Sequence, residues 1–209
     1  GRYGAPEAGA WNFLWGTYFN GSLGVDLVPM LVASVLGPEG AGLIRIAQRI
    51  AAFVNQPLHK LLIPAVFTDM TWLNAQQNTQ KRRKIVFKTG IIAAAITLIP
   101  ALTLIMFGEL IIEIVAGKEF SEAYIAVIFI AFSSVLHALV YAFQPLLITA
   151  GRIWRLNIFI GCNLIVFVIL TLTFVNLYGI SGAGFAFLTR TMIGVVTLYI
   201  LSRDLLMKK

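Results

Sequence analysis

The chain has 209 residues, of which 59% are hydrophobic and 12% charged, with one cysteine and a formal net charge of +7. A mean hydropathy of +0.87 excludes an ordinary soluble domain and describes an integral membrane protein. The single Cys162 excludes a disulfide frame and a thiolate metal site, and in so apolar a chain the positive charge reports membrane orientation rather than nucleic-acid binding.

The chain opens at Gly1 and shows no signal-peptide pattern over its first ten residues, so we expect a piece of a longer protein. A bilayer core about 30 Å thick takes roughly twenty helical residues, and six segments meet that need. Span one, near 13–36, has Trp11 and Trp15 at its first end and Asp26 and Pro29 inside it. Span two, near 41–65, is too apolar for water and too charged for lipid. Arg45, Gln48, Arg49, Gln56, His59 and Lys60 interrupt its Leu, Ile, Ala, Phe and Val. Steps of three and four residues place 45, 49, 52, 56 and 59/60 on one helix face. A cationic stripe at bilayer depth is costly unless it meets a watery cavity or an anion. The stripe therefore predicts a path for something negatively charged, although Lys60, nearest the membrane surface, is expected to snorkel outward.

A polar stretch over 68–84 follows, ending in Lys81, Arg82, Arg83 and Lys84, and reads as a solvated loop or interfacial helix. Span three, near 86–108, contains Pro100, and the loop after it carries Glu109, Glu113, Glu119 and Glu122 against Lys118. Span four, near 123–148, has a milder stripe, Ser133, His137, Tyr141 and Gln144, spaced by four, four and three. His137 reads as a satisfied buried histidine, with proton relay or substrate contact as the alternative. Pro145 allows a kink near the end of this span. Arg152 and Arg155 precede span five, near 156–177, where Asn157 and Asn163 are expected to bond between helices. Tyr178-Gly179-Ile180-Ser181-Gly182-Ala183-Gly184 makes a tight turn, and no Lys-Ser/Thr follows it to suggest a phosphate loop. Span six, near 181–203, carries Arg190.

Charge alternates from loop to loop. With both termini and the 68–88 and 150–156 loops cytoplasmic, eleven of the sixteen Lys/Arg fall on the cytoplasmic side, as the positive-inside rule requires. Lys118 then falls outside, and Arg45, Arg49, Lys60 and Arg190 fall within spans. Asp26, Arg49 and Arg190 share one layer in this arrangement if their helices are neighbours. Two readings stay open for Asp26: a structural ion pair with Arg49 or Arg190, or a group that tunes the arginines or carries a proton or sodium ion. The functional reading is preferred for Arg45 and Arg49, because Gln48, Gln56 and His59 extend the same face.

The run Leu36-Gly37-Pro38-Glu39-Gly40-Ala41-Gly42-Leu43-Ile44-Arg45-Ile46-Ala47-Gln48-Arg49 resembles the second helix in one half of the polysaccharide flippases. Pro64-Ala65-Val66-Phe67 fits the same region. Phe107-Gly108 through Gly117-Lys118-Glu119-Phe120 is similar to their short outer loop, and Tyr178 through Gly184 to their last turn. These are the Wzx-like flippases of the multidrug/oligosaccharidyl-lipid/polysaccharide exporter superfamily. The resemblance implies an all-α C-terminal lobe of six transmembrane helices over 1–209, with both ends cytoplasmic. A missing N-terminal six-helix lobe would complete the cavity. It implies an undecaprenyl-diphosphate-linked oligosaccharide as substrate, moved across a bacterial inner membrane for polysaccharide export. Membrane lipids are the other expected partner. No cofactor is expected beyond coupling to H+ or Na+. Arg45 and Arg49 suit the diphosphate, which arginine pairs through bidentate hydrogen bonds.

Two rival functions are weighed. One is a membrane glycosyltransferase or polymerase acting on lipid-linked glycans, against which stand the short outer loops and the lack of a catalytic constellation. The other is a cation-coupled small-molecule exporter of the same superfamily. We expect no enzyme.

Overall fold

The computed structural model describes residues 24–57 and 79–207. Every element among them is helical: α1 (Gly24–Pro57), α2 (Thr79–Val115), a 3-10 turn (Lys118–Phe120), α3 (Ala123–Leu139), α4 (Phe143–Thr149) and α5 (Ile153–Met207). Lipid demands this architecture. A bilayer core offers backbone N–H and C=O groups no water, and a helix satisfies them within one segment. Among the described residues α1, α2 and α5 contain stretches long and apolar enough to cross a bilayer, and α3 with α4 makes a fourth such unit if the bent pair counts as one. The chain is an all-α integral membrane helical bundle.

Neither α1 nor α5 is a straight rod. Each contains one residue that leaves helical geometry, Gly37 (φ 76°, ψ −172°) and Gly179 (φ 60°, ψ −140°). These are conformations that glycine alone adopts at little cost. Eight residues of straight helix span about 12 Å. Yet a Cβ at Gly40 would lie 3.2 Å from Val32 Cγ1, and one at Gly182 would run into the carbonyl of Phe174. Both helices therefore double back at their glycines. In α5 the antiparallel register shows in the pairs Phe174 with Gly182, Phe167 with Phe187, Asn163 with Arg190 and Phe159 with Gly194. The arms are 24–36 and 38–57 in α1, and 153–178 and 180–207 in α5. The turns fall where spans one and two, and spans five and six, were expected to meet.

Two boundaries differ from expectation. α2 runs from Thr79 to Val115, so Lys81–Lys84 take the helical of the two readings given for that stretch, while Glu109 and Glu113 are helical rather than loop residues. Lys, Arg, Gln and Glu are good helix formers, and nothing forces the helix to stop where lipid does. Span four is also not one helix. α3 ends at Leu139, α4 starts at Phe143, and the two are bent by 44°. Pro145 has no N–H, and its ring would clash with the carbonyl four residues back, at Tyr141. It is tolerated in the first turn of α4 instead, while 3-10-type bonds from Tyr141 N to Ala138 O and from Phe143 N to Val140 O carry the chain between.

The main core lies between α1, α2, α3 and α5, where Ile44, Ala47 and Val54 join Leu104, Ile112, Ala126, Val127 and Phe167. A second cluster at the opposite end gathers Val86, Phe143, Leu146, Leu147, Leu156 and Leu198. Ile99, Met106 and Ile114 of α2 are more than two-thirds exposed. Side chains this large and apolar on the outside identify lipid as the solvent of that face.

Candidate anion-facing site on α1 and α5

Arg45 and Arg49 lie on the second arm of α1, about 12 and 18 Å beyond Gly37 along the helix. Ile44, Ala47, Ile50, Ala51 and Val54 of the same arm are buried. That apolar stripe fixes how the arm rolls onto its neighbours, and it turns Arg45, Arg49 and Ala52 outward. The predicted stripe thus forms one exposed face as far as it is described. Gln48 is half-buried beside it. The Gln56 side chain and all of His59 and Lys60 lie outside the described residues.

Arg190 occupies the second arm of α5, about 16 Å beyond Gly179. Its Nε donates to Asn163 Oδ1 at 2.6 Å, and its guanidinium carbon sits 4.4 Å from the centre of the Phe167 ring. Phe187 meets Phe167 edge to face at 4.8 Å and holds that ring in turn. The guanidinium plane is clamped from one edge and one face, which leaves its Nη groups to meet another acceptor. Asn163 bonds between helices as expected.

The structural ion pair with Arg49 or Arg190, one of the two readings of Asp26, is absent among the described residues. Asp26 is exposed in the first turn of α1. Arg152 and Arg155 pair with Asp204 instead. Arg45, Arg49 and Arg190 therefore have no carboxylate among the described residues. An arginine at mid-membrane costs about 2.5–3.5 kcal/mol on insertion scales, and such groups face water, a partner or an anion in preference to lipid. The helices α1 and α5 pack against each other. Arg49 and Arg190 lie at similar distances from the turns of their two hairpins.

The bend after α3 divides the second stripe. Ser133 is buried and donates to Phe129 O of its own helix at 2.6 Å, whereas His137 is exposed rather than buried. Tyr141 and Gln144, both half-buried, lie beyond the end of α3, so the four residues do not share one helix face. A polar contact the sequence reading omitted links α1 to α3: Asn55 Nδ2 donates to Ser134 Oγ at 2.9 Å, and that hydroxyl donates to Ile130 O at 3.0 Å. The signal was present. Asn55 continues the apolar face 44–47–51 at helical spacing, and a polar residue on such a face in a membrane seeks a partner across helices.

The chain is similar to inner membrane protein YghQ of Escherichia coli (strain K12), 30% identical over 122 residues. That match covers 56% of this chain and 33% of the relative, so the chain spans about a third of the length of the curated relative it matches. No family model matches. No solved structure matches.

Proposed function

We propose that this chain is a transporter lobe of the Wzx-like flippase type. It moves an anionic lipid-linked oligosaccharide, of the undecaprenyl-diphosphate kind, by alternating access. The observation that carries this reading is the outward face of Arg45 and Arg49, on a helix long and apolar enough to cross a bilayer and without a carboxylate among the described residues. A diphosphate satisfies such a face through charge-assisted, bidentate hydrogen bonds. Arg190 joins it from the same level of α5. Gln48 lies beside it, Gln56, His59 and Lys60 belong to the same proposed substrate path, and Asp26 tunes it or couples transport to H+ or Na+. A second six-helix lobe covers the arginine face and makes the opposite wall of the cavity. Paired lobes that rock about a central site are a recurrent transporter design. The six spans run with both ends cytoplasmic, and the name of the E. coli relative favours a bacterial inner membrane.

Complementation of a flippase-deficient strain with the full-length gene carrying Arg45→Gln or Arg49→Gln tests this reading. Hydrogen bonds to charged groups contribute about 1.5–3 kcal/mol each, so roughly ten-fold or greater loss of surface glycan is expected at unchanged membrane levels. Full surface glycan from both variants would sink the proposal.

A further inference from the structure

The two ends of α5 meet across its hairpin. Arg152 Nη1 lies 3.6 Å and Arg155 Nη1 3.7 Å from Asp204 Oδ2. Two cations share one carboxylate, so the cluster keeps a net positive charge. Both separations exceed good hydrogen-bond length, and Arg152 Nη1 is buried with no hydrogen-bond acceptor. α5 begins at Ile153, which puts the positive end of its macrodipole and its first unbonded amides at the same place. Trp154 stands exposed beside them, as an aromatic residue at a membrane interface does.

From Arg155 a groove of about 480 Å³ runs between the two arms, walled by Ile158, Cys162, Val166, Ile193 and Leu201. Asn163 also reaches the groove, but its carbonyl oxygen is engaged by Arg190. From Arg155 to Val166 is about 16 Å of helix, close to half the thickness of a hydrocarbon core about 30 Å deep. The slot is one leaflet long. It is apolar along its length and positive at its mouth. A water-soluble anion would use the mouth and leave the slot empty, and an extended peptide would leave its backbone unsatisfied there.

We infer that the α5 hairpin binds an anionic diacyl phospholipid of the surrounding bilayer, with its phosphate on Arg155 and Arg152 and an acyl chain in the slot between the arms. Basic pockets between transmembrane helices on the cytoplasmic side hold anionic headgroups in this manner. Asp204 competes with the phosphate for both arginines and keeps the site exchangeable. This assignment does not rest on the transport reading.

The test uses the full-length protein, delipidated in a neutral detergent and titrated with phosphatidylglycerol or phosphatidylcholine of identical chains, with binding read by native mass spectrometry. Phosphatidylglycerol is expected to bind about ten-fold more tightly than phosphatidylcholine. Arg155→Gln brings it down to the phosphatidylcholine level. Asp204→Asn acts in the opposite direction and tightens it several-fold. Val166→Trp fills the slot and weakens both lipids. Arg45→Gln leaves the titration unchanged, so this assignment and the transport reading fail separately. Arg155 and Asp204 are both well exposed, and the headgroup comparison on the unaltered protein needs no variant at all. Equal binding of the two phospholipids would overturn the assignment. So would phosphatidylglycerol binding that neither charge substitution moves, or preference for an isoprenyl phosphate over phosphatidylglycerol.

Discussion

Arg190 is oriented before any ligand arrives. Asn163 holds its Nε and Phe167 covers one face, so a planar, forked cation is presented in one orientation. Lysine cannot reproduce this, because an ammonium has neither the fork nor the stacking plane. If the proposed transport reading holds, Arg190→Lys is expected to lower surface glycan at matched protein level although the charge is kept. Asn163→Leu removes the Nε acceptor and leaves a donor unsatisfied, at a cost of roughly 1–3 kcal/mol in reversible unfolding in micelles. The bond from Asn55 to Ser134 is the other residue-scale contact with a measurable value. A double-mutant cycle to alanine at both positions should return a coupling of about 0.6 kcal/mol, with about 1.7 kcal/mol the upper end for such bonds in membranes. No coupling would mean the two side chains are not in contact.

At the scale of elements, two glycines turn long helices into hairpins. Gly37 and Gly179 occupy positive-φ conformations in which a side chain costs about 1–3 kcal/mol. Gly37→Ala and Gly179→Ala should each lower unfolding stability by that amount, whereas Gly161→Ala, in open space within an arm, should be neutral or slightly favourable because alanine has the higher helix propensity. Close packing adds a second requirement beside the α5 turn. A Cβ at Gly182 would meet the Phe174 carbonyl and lie 2.9 Å from Val175 N, and backbone cannot swing aside as a side chain does. The hydrophobic pattern alone made the turns legible, since the apolar runs pause at 37–40 and 178–181. The break between α3 and α4 was legible only as a kink at Pro145. Its position depends on where 3-10 bonding takes over ahead of the proline ring.

For the whole molecule, the hairpin in α5 makes a statement about topology that labelling can check. If both arms cross the bilayer, three crossings separate Glu119 from Arg203; if α5 crossed once, there would be two. In a cysteine-free background, Glu119→Cys should react with an impermeant maleimide in intact cells, and Arg203→Cys only after permeabilisation. Reaction of both from the same side would remove the hairpin crossing. The same topology puts the Arg152–Arg155–Asp204 cluster and the basic start of α2 on the cytoplasmic side, in line with the charge bias.

The apolar runs, their lengths and the loop-to-loop alternation of charge determined by themselves that this is an all-helical membrane protein, and they placed the turns within a residue or two. Hydropathy is local, and a lipid solvent leaves the backbone only one economical conformation. The arginine stripe was legible for the same reason, because helical periodicity assigns Arg45 and Arg49 to one face without any neighbour being known. Which cation is held by which partner was decided by tertiary structure alone. Asp26 was a plausible partner by depth, yet Arg190 is held by Asn163 and Phe167, and the carboxylate that attracts arginines is Asp204 at the far end of α5. Depth is a single coordinate. A contact also needs the roll and the neighbours of each helix, and those follow from how the buried faces of α1, α3 and α5 pack together.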